Sequence, residues 1–262
     1  MTAIHGFQPL YAVAGFFVGA LVGMTGVGGG SLMTPILILL FGIHPSTAVG
    51  TDLLYAAATK TGGTLVHGLT RTIDWGIVAR LAAGSMPMTA LTLFVLSKFD
   101  ITGGAAHGLI TTVLSLALFA TALVLTFRRP ILRLYMATVG ELDARRAARM
   151  TVATGAVLGM LVSISSVGAG ALGATVLVML YPYHAIVRIV GSDIAHAVPL
   201  TLLAGLGHWM MGTISMSLLG SLLVGSIPGI VLSSWTAPRV PDAMLSYILA
   251  ATLAVAGVKL IF

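Results

Sequence analysis

Three ionisable side chains lie within segments of the sequence that are otherwise apolar. Asp52 and Lys60 share one such segment, and Asp193 lies in another. A charged group inside a bilayer is expensive, so it usually belongs to a functional site and has a partner there. Lys60 could supply positive charge to an anionic substrate, or it could pair with Asp52 or extend to the membrane interface. We favour the substrate-binding interpretation of Lys60.

The two aspartates recur in equivalent places, and each follows a small polar residue. Thr51 precedes Asp52, and Ser192 precedes Asp193. Each carboxylate could accept hydrogen bonds from freed backbone amides, or it could carry a coupling proton. We favour the structural role, because both halves of the chain keep the aspartate whereas Thr201 stands where a second lysine would be. The hydroxyls of Thr51 and Ser192 are predicted to be further donors to the substrate.

Two glycine-rich clusters interrupt the apolar segments. Glycine allows positive φ angles and a close approach of the backbone to a ligand. A helix that begins after such a break points its free amides at the break, which favours an anion. The residues predicted to bind substrate in this way are Gly28, Gly29, Gly30 and Ser31 in the first cluster and Gly168, Ala169 and Gly170 in the second. Gly19 and Gly23, by contrast, have the spacing of a helix-packing motif.

Histidines recur near the far ends of the two segments that carry the aspartates. His67 and His208 could take part in proton coupling, because histidine titrates near physiological pH. A structural role at the membrane interface is the alternative, and we favour it. The spacing of the His, Asp and Glu residues does not resemble a metal site, and the chain has no cysteine. The sequence therefore predicts neither a cofactor nor a metal.

The elements that must position these residues are membrane helices. Of the 262 residues, 58% are hydrophobic and 8% are charged, whereas about 25% are charged in a typical soluble domain. Several apolar runs are long enough to cross a bilayer, and they do not alternate as the strands of a membrane barrel do. We predict an all-α polytopic membrane protein in contact with the lipid bilayer. A nucleic-acid partner is not expected despite the basic composition, since no soluble segment could form a binding domain.

The chain reads as two homologous repeats joined by a basic stretch. We assign the first transmembrane repeat to residues 1–127, a basic cytoplasmic loop to 128–149 and the second repeat to 150–262. The loop assignment rests on its arginines, because loops rich in Lys and Arg stay in the cytoplasm. The halves align at an offset of 140 and then 141, so that Gly84-Ser85-Met86-Pro87 matches Gly225-Ser226-Ile227-Pro228. Long internal repeats of this kind are typical of transporters.

The number of spans is open, between eight and ten transmembrane or re-entrant helices. Segments 8–43 and 151–182 are each too long for one simple helix, and glycines interrupt both. After the first break, residues 31–43 would reach only about 20 Å as a helix, which is short of the roughly 30 Å hydrocarbon core. Eight spans would give parallel halves and ten would give inverted halves. We favour the inverted arrangement, in which broken first helices are common.

Enzymatic function is not expected. The chain lacks the Gly-x-Ser-x-Gly elbow of serine hydrolases. It also lacks a phosphate-binding loop, so energy must come from an ion gradient, the substrate gradient or a separate ATPase subunit. Asp52 and Asp193 could meet as in an intramembrane aspartyl protease, but we give this interpretation little weight.

At the glycine and aspartate motifs the chain resembles the TauE/SafE family, the sulfite exporters and their relatives. The resemblance rests on Gly-x-x-x-Gly-x-x-Gly-Val-Gly-Gly-Gly-Ser-Leu at 19–32, on Ala48-Val49-Gly50-Thr51-Asp52-Leu53 and on the second copy at Val167-Gly168-Ala169-Gly170. It covers essentially the whole chain, and it implies a transporter of sulfur-containing anions in the cytoplasmic membrane. Ser166 and Ala169 replace glycines of the first copy, so the two half-sites are not equal.

We therefore expect a secondary transporter that exports a small sulfur oxyanion or organosulfonate across the inner (cytoplasmic) membrane by alternating access. The substrate would bind between the two halves. An anion channel is one alternative. Another is a membrane subunit that scaffolds an enzyme or ATPase through the stretch 128–149. A homodimer is a further expectation.

Overall fold

The computed structural model describes residues 8–25, 30–99, 104–138, 140, 142–236 and 242–261, and these ranges contain ten α-helices and no strand. This confirms the predicted all-α class. The helices are α1 (Pro9–Thr25), α2 (Gly30–Leu39), α3 (Pro45–Leu69), α4 (Trp75–Leu96), α5 (Gly104–Thr138), α6 (Ala144–Ser165), α7 (Ala171–Leu180), α8 (Ile186–Met210), α9 (Met216–Thr236) and α10 (Asp242–Ile261).

Four of these helices are long and apolar enough to cross a membrane, by length and composition. They are α4, most of α5, α6 and α8, and shorter apolar helices accompany them. Helix α3 has 25 residues, as α8 does, but it is less apolar because it carries Asp52, Lys60 and several hydroxyl side chains. The first half of α3 is nevertheless largely buried. Together with the composition, these helices make the chain a polytopic membrane protein.

Glycines bring the first helix of one half against the fourth helix of the other. Helix α1 packs on α9, and α6 packs on α4. A Cβ atom at Gly19 would lie 2.5 Å from the Ser226 carbonyl oxygen, and one at Gly159 would lie 2.5 Å from that of Ser85. Only glycine fits such a backbone approach, so the predicted packing role of Gly19 is confirmed. The packing of Gly23 lies outside the described part.

The third helices of the two halves, α3 and α8, pack against each other at the centre. His67, near the end of α3, contacts Gly191 near the start of α8, and His208, near the end of α8, contacts Gly50 near the start of α3. The two helices therefore run antiparallel. Inverted repeats require this relation between equivalent helices, although the inverted repeat itself stays a prediction.

Helix α7 doubles back along α6. The Thr151 hydroxyl, two turns into α6, is 2.8 Å from the hydroxyl of Tyr181, which directly follows α7. The end of α7 therefore lies beside the beginning of α6. With 10 residues, α7 is about 15 Å long, which is half of the bilayer core. It is a half-helix that starts at the buried break and ends on the side of the molecule where α6 begins.

The predicted loop at 128–149 is largely helical. Helix α5 continues to Thr138, with a kink at Phe127, and α6 already begins at Ala144. Pro130 explains the kink, because its ring excludes a helical hydrogen bond and clashes with the carbonyl four residues earlier. The rest of the stretch is rich in Arg, Leu and Ala, which favour helix. The stretch therefore consists mainly of helix, and its assignment as a cytoplasmic segment between two repeats stays a prediction.

Candidate substrate site

The glycine cluster of the second half is a tight break between α6 and α7. Ser166 ends α6 in the left-handed conformation with φ 59°, and Gly168 and Gly170 have φ of 120° and 126°. Residues with a Cβ rarely adopt such angles, which explains the two glycines. The break is buried at Val167 and Ala169. The predicted glycine-broken first helix is thus confirmed in this half.

The first-half break is described only at its edges. Helix α1 ends at Thr25 and α2 begins at Gly30. Gly28 and Gly29 lie outside the described residues, as does the side chain of Ser31. The predicted binding role of these residues stays a prediction.

Lys60 reaches from α3 into the second-half break. Its side chain is buried, at 6% exposure, and its Nζ donates a hydrogen bond to the Ala169 carbonyl oxygen over 3.2 Å. Because it is buried, Lys60 does not extend to the membrane interface. It interacts electrostatically with Asp193 and, less strongly, with Asp52. Among the described residues, no carboxylate oxygen forms an ion pair with Lys60 within 4.0 Å.

Asp52 ties α3 to α2. Its carboxylate is fully buried, and its Oδ2 accepts a hydrogen bond from the Thr34 hydroxyl on α2. The backbone amide of Thr34 also interacts with this carboxylate, and the Ser166 side chain of the second-half break faces it. Asp52 therefore links the half-helix of its own half to the break of the other half.

Asp193 holds the start of α7 in a similar way. It is 2% exposed, and the Gly170 amide interacts with its carboxylate. Its Oδ1 lies against Gly173, where a Cβ would be only 2.3 Å away. This oxygen is buried and has no hydrogen-bond partner within the described ranges. The contacts fit the structural interpretation of both aspartates, and the buried Oδ1 of Asp52 likewise has no hydrogen-bond partner among the described residues.

One turn after each aspartate, a side chain reaches a serine of the opposite half. His196 Nε2 is 2.8 Å from the Ser85 hydroxyl, and the Tyr55 ring ends beside Ser226. His196 and Tyr55 are equivalent in the repeat, as are the two serines. Sequence reasoning used the serines only as evidence of duplication. Ser85 lies at the same distance in sequence from Asp52 as Ser226 does from Asp193, and this recurrence could have indicated that the serines belong to the site.

Thr51 and Ser192 are directed at loops instead. The Thr51 hydroxyl accepts a hydrogen bond from the Ser215 amide over 3.2 Å, and the Ser192 hydroxyl accepts one from the Asp74 amide over 2.8 Å. Each hydroxyl thus fastens the loop that precedes the fourth helix of the opposite half. Their predicted role as substrate donors stays a prediction, and the loop contacts give both residues a structural explanation.

His67 and His208 fasten the ends of their helices. The Nδ1 of His67 is 2.7 Å from the Thr72 hydroxyl, and that of His208 is 3.0 Å from the Thr213 hydroxyl. The Nε2 of His208 also lies 2.9 Å from the Ser163 carbonyl oxygen. These contacts do not bring either ring to Lys60, and a coupling role for the two histidines stays a prediction.

The family model described as "Sulfite exporter TauE/SafE" matches residues 11–260. The chain belongs to the TauE/SafE family. It is 39% identical over 250 residues to "Probable membrane transporter protein YjnA" of Bacillus subtilis, a match that covers 94% of this chain and 97% of that protein. It is also 27% identical over 254 residues to "Probable membrane transporter protein YdhB" of the same organism, with 94% and 97% covered. No solved structure matches the chain.

This member of the TauE/SafE family of membrane transporters has unequal halves at its centre. Lys60 of the first half bonds the break of the second. The equivalent residue of the second half is Thr201, whose hydroxyl donates to the Ala197 carbonyl oxygen of its own helix over 2.8 Å. The two halves thus share an architecture, but only the first contributes a buried cation here.

Proposed function

We propose that this protein is a secondary transporter that exports a small sulfur oxyanion or organosulfonate, such as sulfite, across the cytoplasmic membrane. The observation that carries the proposal is the buried ammonium of Lys60 at the second-half break. A buried charge needs a partner of opposite sign. Asp193 and Asp52 act on Lys60 electrostatically but form no ion pair with it among the described residues, and the atom that it bonds directly is the neutral Ala169 carbonyl oxygen. An anion in direct contact would be the stronger partner.

The chemistry of the ammonium suits an oxyanion. Lys60 has three N–H donors, and one of them bonds the Ala169 carbonyl. The remaining donors can serve the oxygens of a sulfite or sulfonate group in charge-assisted hydrogen bonds, which are stronger than neutral ones. A neutral substrate of the same shape would gain much less from this lysine.

The half-helices supply the second kind of donor. The free amides at the start of α7, after Gly168–Gly170, and at the start of α2, after Gly28–Gly30, carry partial positive charge. In this proposal they bind the substrate oxygens from the two halves, with the Ser31 hydroxyl as an additional donor. Thr51 and Ser192 would contribute only after exchanging their bonds to the loop amides.

We infer alternating access because the residues proposed to form the site come from both halves. Lys60 and Asp52 come from the first half, and Ala169 and Asp193 from the second. Rocking of one half against the other around a fixed central site is the usual mechanism of repeat-built transporters. The antiparallel pairing of α3 and α8 supports this proposal.

Counterflow in proteoliposomes tests the function. Vesicles with the purified protein are loaded with unlabelled sulfite, and uptake of radiolabelled sulfite is measured against protein-free vesicles. We expect transient accumulation above equilibrium, which a carrier gives and a channel does not. Methanesulfonate, thiosulfate and sulfate in the lumen then rank the substrates. If none of these anions stimulates uptake, the proposed function is wrong.

A further inference from the structure

The central cluster has more acidic than basic groups. Lys60 interacts with both Asp52 and Asp193, and the three side chains are buried together. With all of them ionised, the cluster carries one net negative charge. In a medium of low polarity this charge would repel an incoming anion, because charges interact strongly there. An anion can replace the carboxylates as the partner of Lys60 only if the negative charge of the cluster is reduced.

We propose that Asp193 takes up one proton when the anion binds, so that each transported anion crosses the membrane together with a proton. This inference rests on the proposed function and adds the coupling ion to it. The step is a simple protonation: the Asp193 carboxylate and a proton from solvent give the neutral carboxyl group. The Lys60 ammonium keeps its own protons and exchanges its electrostatic partner from this carboxylate to the anion.

The contacts distinguish Asp193 from Asp52. The Asp52 carboxylate receives the hydroxyl and amide of Thr34, and Ser166 faces it as well. Donors of this kind stabilise the ionised form. Both carboxylates have a buried Oδ1 without a hydrogen-bond partner in the described structure, but for Asp193 the only other donor there is the Gly170 amide, and no side-chain hydroxyl bonds it. A proton on Asp193 therefore competes with fewer hydrogen-bond donors than one on Asp52.

The surroundings of Asp193 supply few other charges. From α3 it is faced by Lys60, and Asp52 interacts with the same lysine. On its own helix, His196 lies one turn further along and interacts electrostatically with Lys60. The neighbours that α4, α6 and α7 contribute to this region are not titratable, namely Ser85, Leu158, Gly170 and Gly173.

His196 offers a route for the proton. Its Nε2 is bonded to Ser85, and its Nδ1 is buried without a partner in the part of the chain that the structure describes. A ring nitrogen one helical turn from the carboxylate can receive a proton and release it again. The His196 ring is thus the titratable group placed next to Asp193 on the same helix.

Proton movement can be measured alongside anion flux. Proteoliposomes with a pH-sensitive dye in the lumen receive an inward gradient of methanesulfonate, with the membrane potential clamped by potassium and valinomycin. Methanesulfonate is chosen because it does not bind protons near neutral pH, so it cannot acidify the lumen by itself. If methanesulfonate is not carried, another sulfonate that the counterflow test identifies as a substrate takes its place, because sulfite itself binds a proton near neutral pH. We expect the lumen to acidify in step with anion entry.

The variants Asp193→Asn and Asp52→Asn then locate the proton. We expect the anion exchange that remains in Asp193→Asn to lose both the acidification and its dependence on pH. Asp52→Asn should still acidify the lumen in proportion to its anion flux. Anion entry without acidification in the unmodified protein overturns the coupling, and acidification by Asp193→Asn overturns the choice of residue. If Asp193→Asn does not fold, the unmodified protein still shows whether a proton accompanies the anion. If Asp52→Asn then carries the anion without acidifying the lumen, Asp193 is not the residue that takes up the proton. If the unmodified protein carries none of the anions, the counterflow test has already shown that the proposed function is wrong.

Discussion

The Lys60 ammonium donates a hydrogen bond to the Ala169 carbonyl oxygen, 109 residues later in the chain. This bond joins the third helix of the first half to the break in the second half. The bond is also compatible with alanine at the middle position of the second cluster. At that position the residue contributes a backbone carbonyl, which any side chain allows, whereas Gly168 and Gly170 on either side need their positive φ.

Replacing Lys60 tests the binding site directly. We expect Lys60→Met to reduce sulfite or sulfonate counterflow by about tenfold to a hundredfold, because hydrogen bonds to charged groups contribute about 1.5–3 kcal/mol. The measurement is the initial rate of counterflow in proteoliposomes at equal protein content.

Lys98→Met is the matched control for this variant. Lys98 is exposed after the end of α4, where its Nζ lies 4.9 Å from the centre of the Phe94 ring. The same substitution there should leave the flux almost unchanged. Equal rates for Lys60→Met and the unmodified protein would remove Lys60 from the site.

The bond between Thr34 and Asp52 should stabilise the protein. Thr34→Val removes the hydroxyl that donates to the buried Asp52 carboxylate, and an unpaired buried acceptor costs about 1–3 kcal/mol. We expect a lower midpoint of thermal unfolding in detergent. Thr175→Val on α7 is the control, since that hydroxyl bonds only the Ala171 carbonyl of its own helix. The interpretation fails if both variants melt at the same temperature.

Gly225 should not tolerate a side chain. A Cβ there would lie 1.7 Å from the Ala12 carbonyl oxygen of α1, and backbone can yield only if α1 and α9 separate. We expect Gly225→Ala to lower the yield of folded, monodisperse protein in size-exclusion chromatography. Gly220→Ala, on the same helix with open space around it, should fold normally, because alanine favours helix by up to about 1 kcal/mol. A normal profile for Gly225→Ala would contradict the observed helix packing.

The inverted arrangement can be tested by labelling. The chain has no cysteine, so a single one can be placed at Thr70 after α3 or at Met211 after α8, which are equivalent positions. Because α3 and α8 are antiparallel, the two cysteines should lie on opposite sides of the membrane. In right-side-out vesicles an impermeant maleimide should label Met211→Cys at once and Thr70→Cys only after permeabilisation. Labelling of both from one side would contradict this arrangement.

Much of the fold follows from local patterns in the sequence. The apolar runs predict membrane helices, because a helix satisfies its backbone hydrogen bonds within one segment in lipid and the runs lack the alternation of barrel strands. The glycines at 168 and 170 indicated a break, since their positive φ is a local property of the backbone. The repeat was visible because glycine, proline and small polar residues keep their order in both halves.

Other features could not be read from local patterns. Thr51 and Ser192 stood beside the aspartates in the sequence, but successive residues of a helix point in different directions. The structure directs their hydroxyls to loops of the opposite half. The helices that extend into 128–149 were not predicted from the sequence either, although its Arg and Ala residues favour helix.

The sequence by itself determined the membrane class, the break between α6 and α7 and the presence of a lysine within an apolar segment, and it predicted the duplication. These depend on composition and on the order of residues along the chain. Only the tertiary structure decided which residues share the centre: Lys60 with Ala169, Asp52 with Thr34 and Asp193 with Gly170. Such contacts depend on how α3 and α8 cross between the two half-helices. That crossing is fixed by the packing of both halves together, which no single segment encodes.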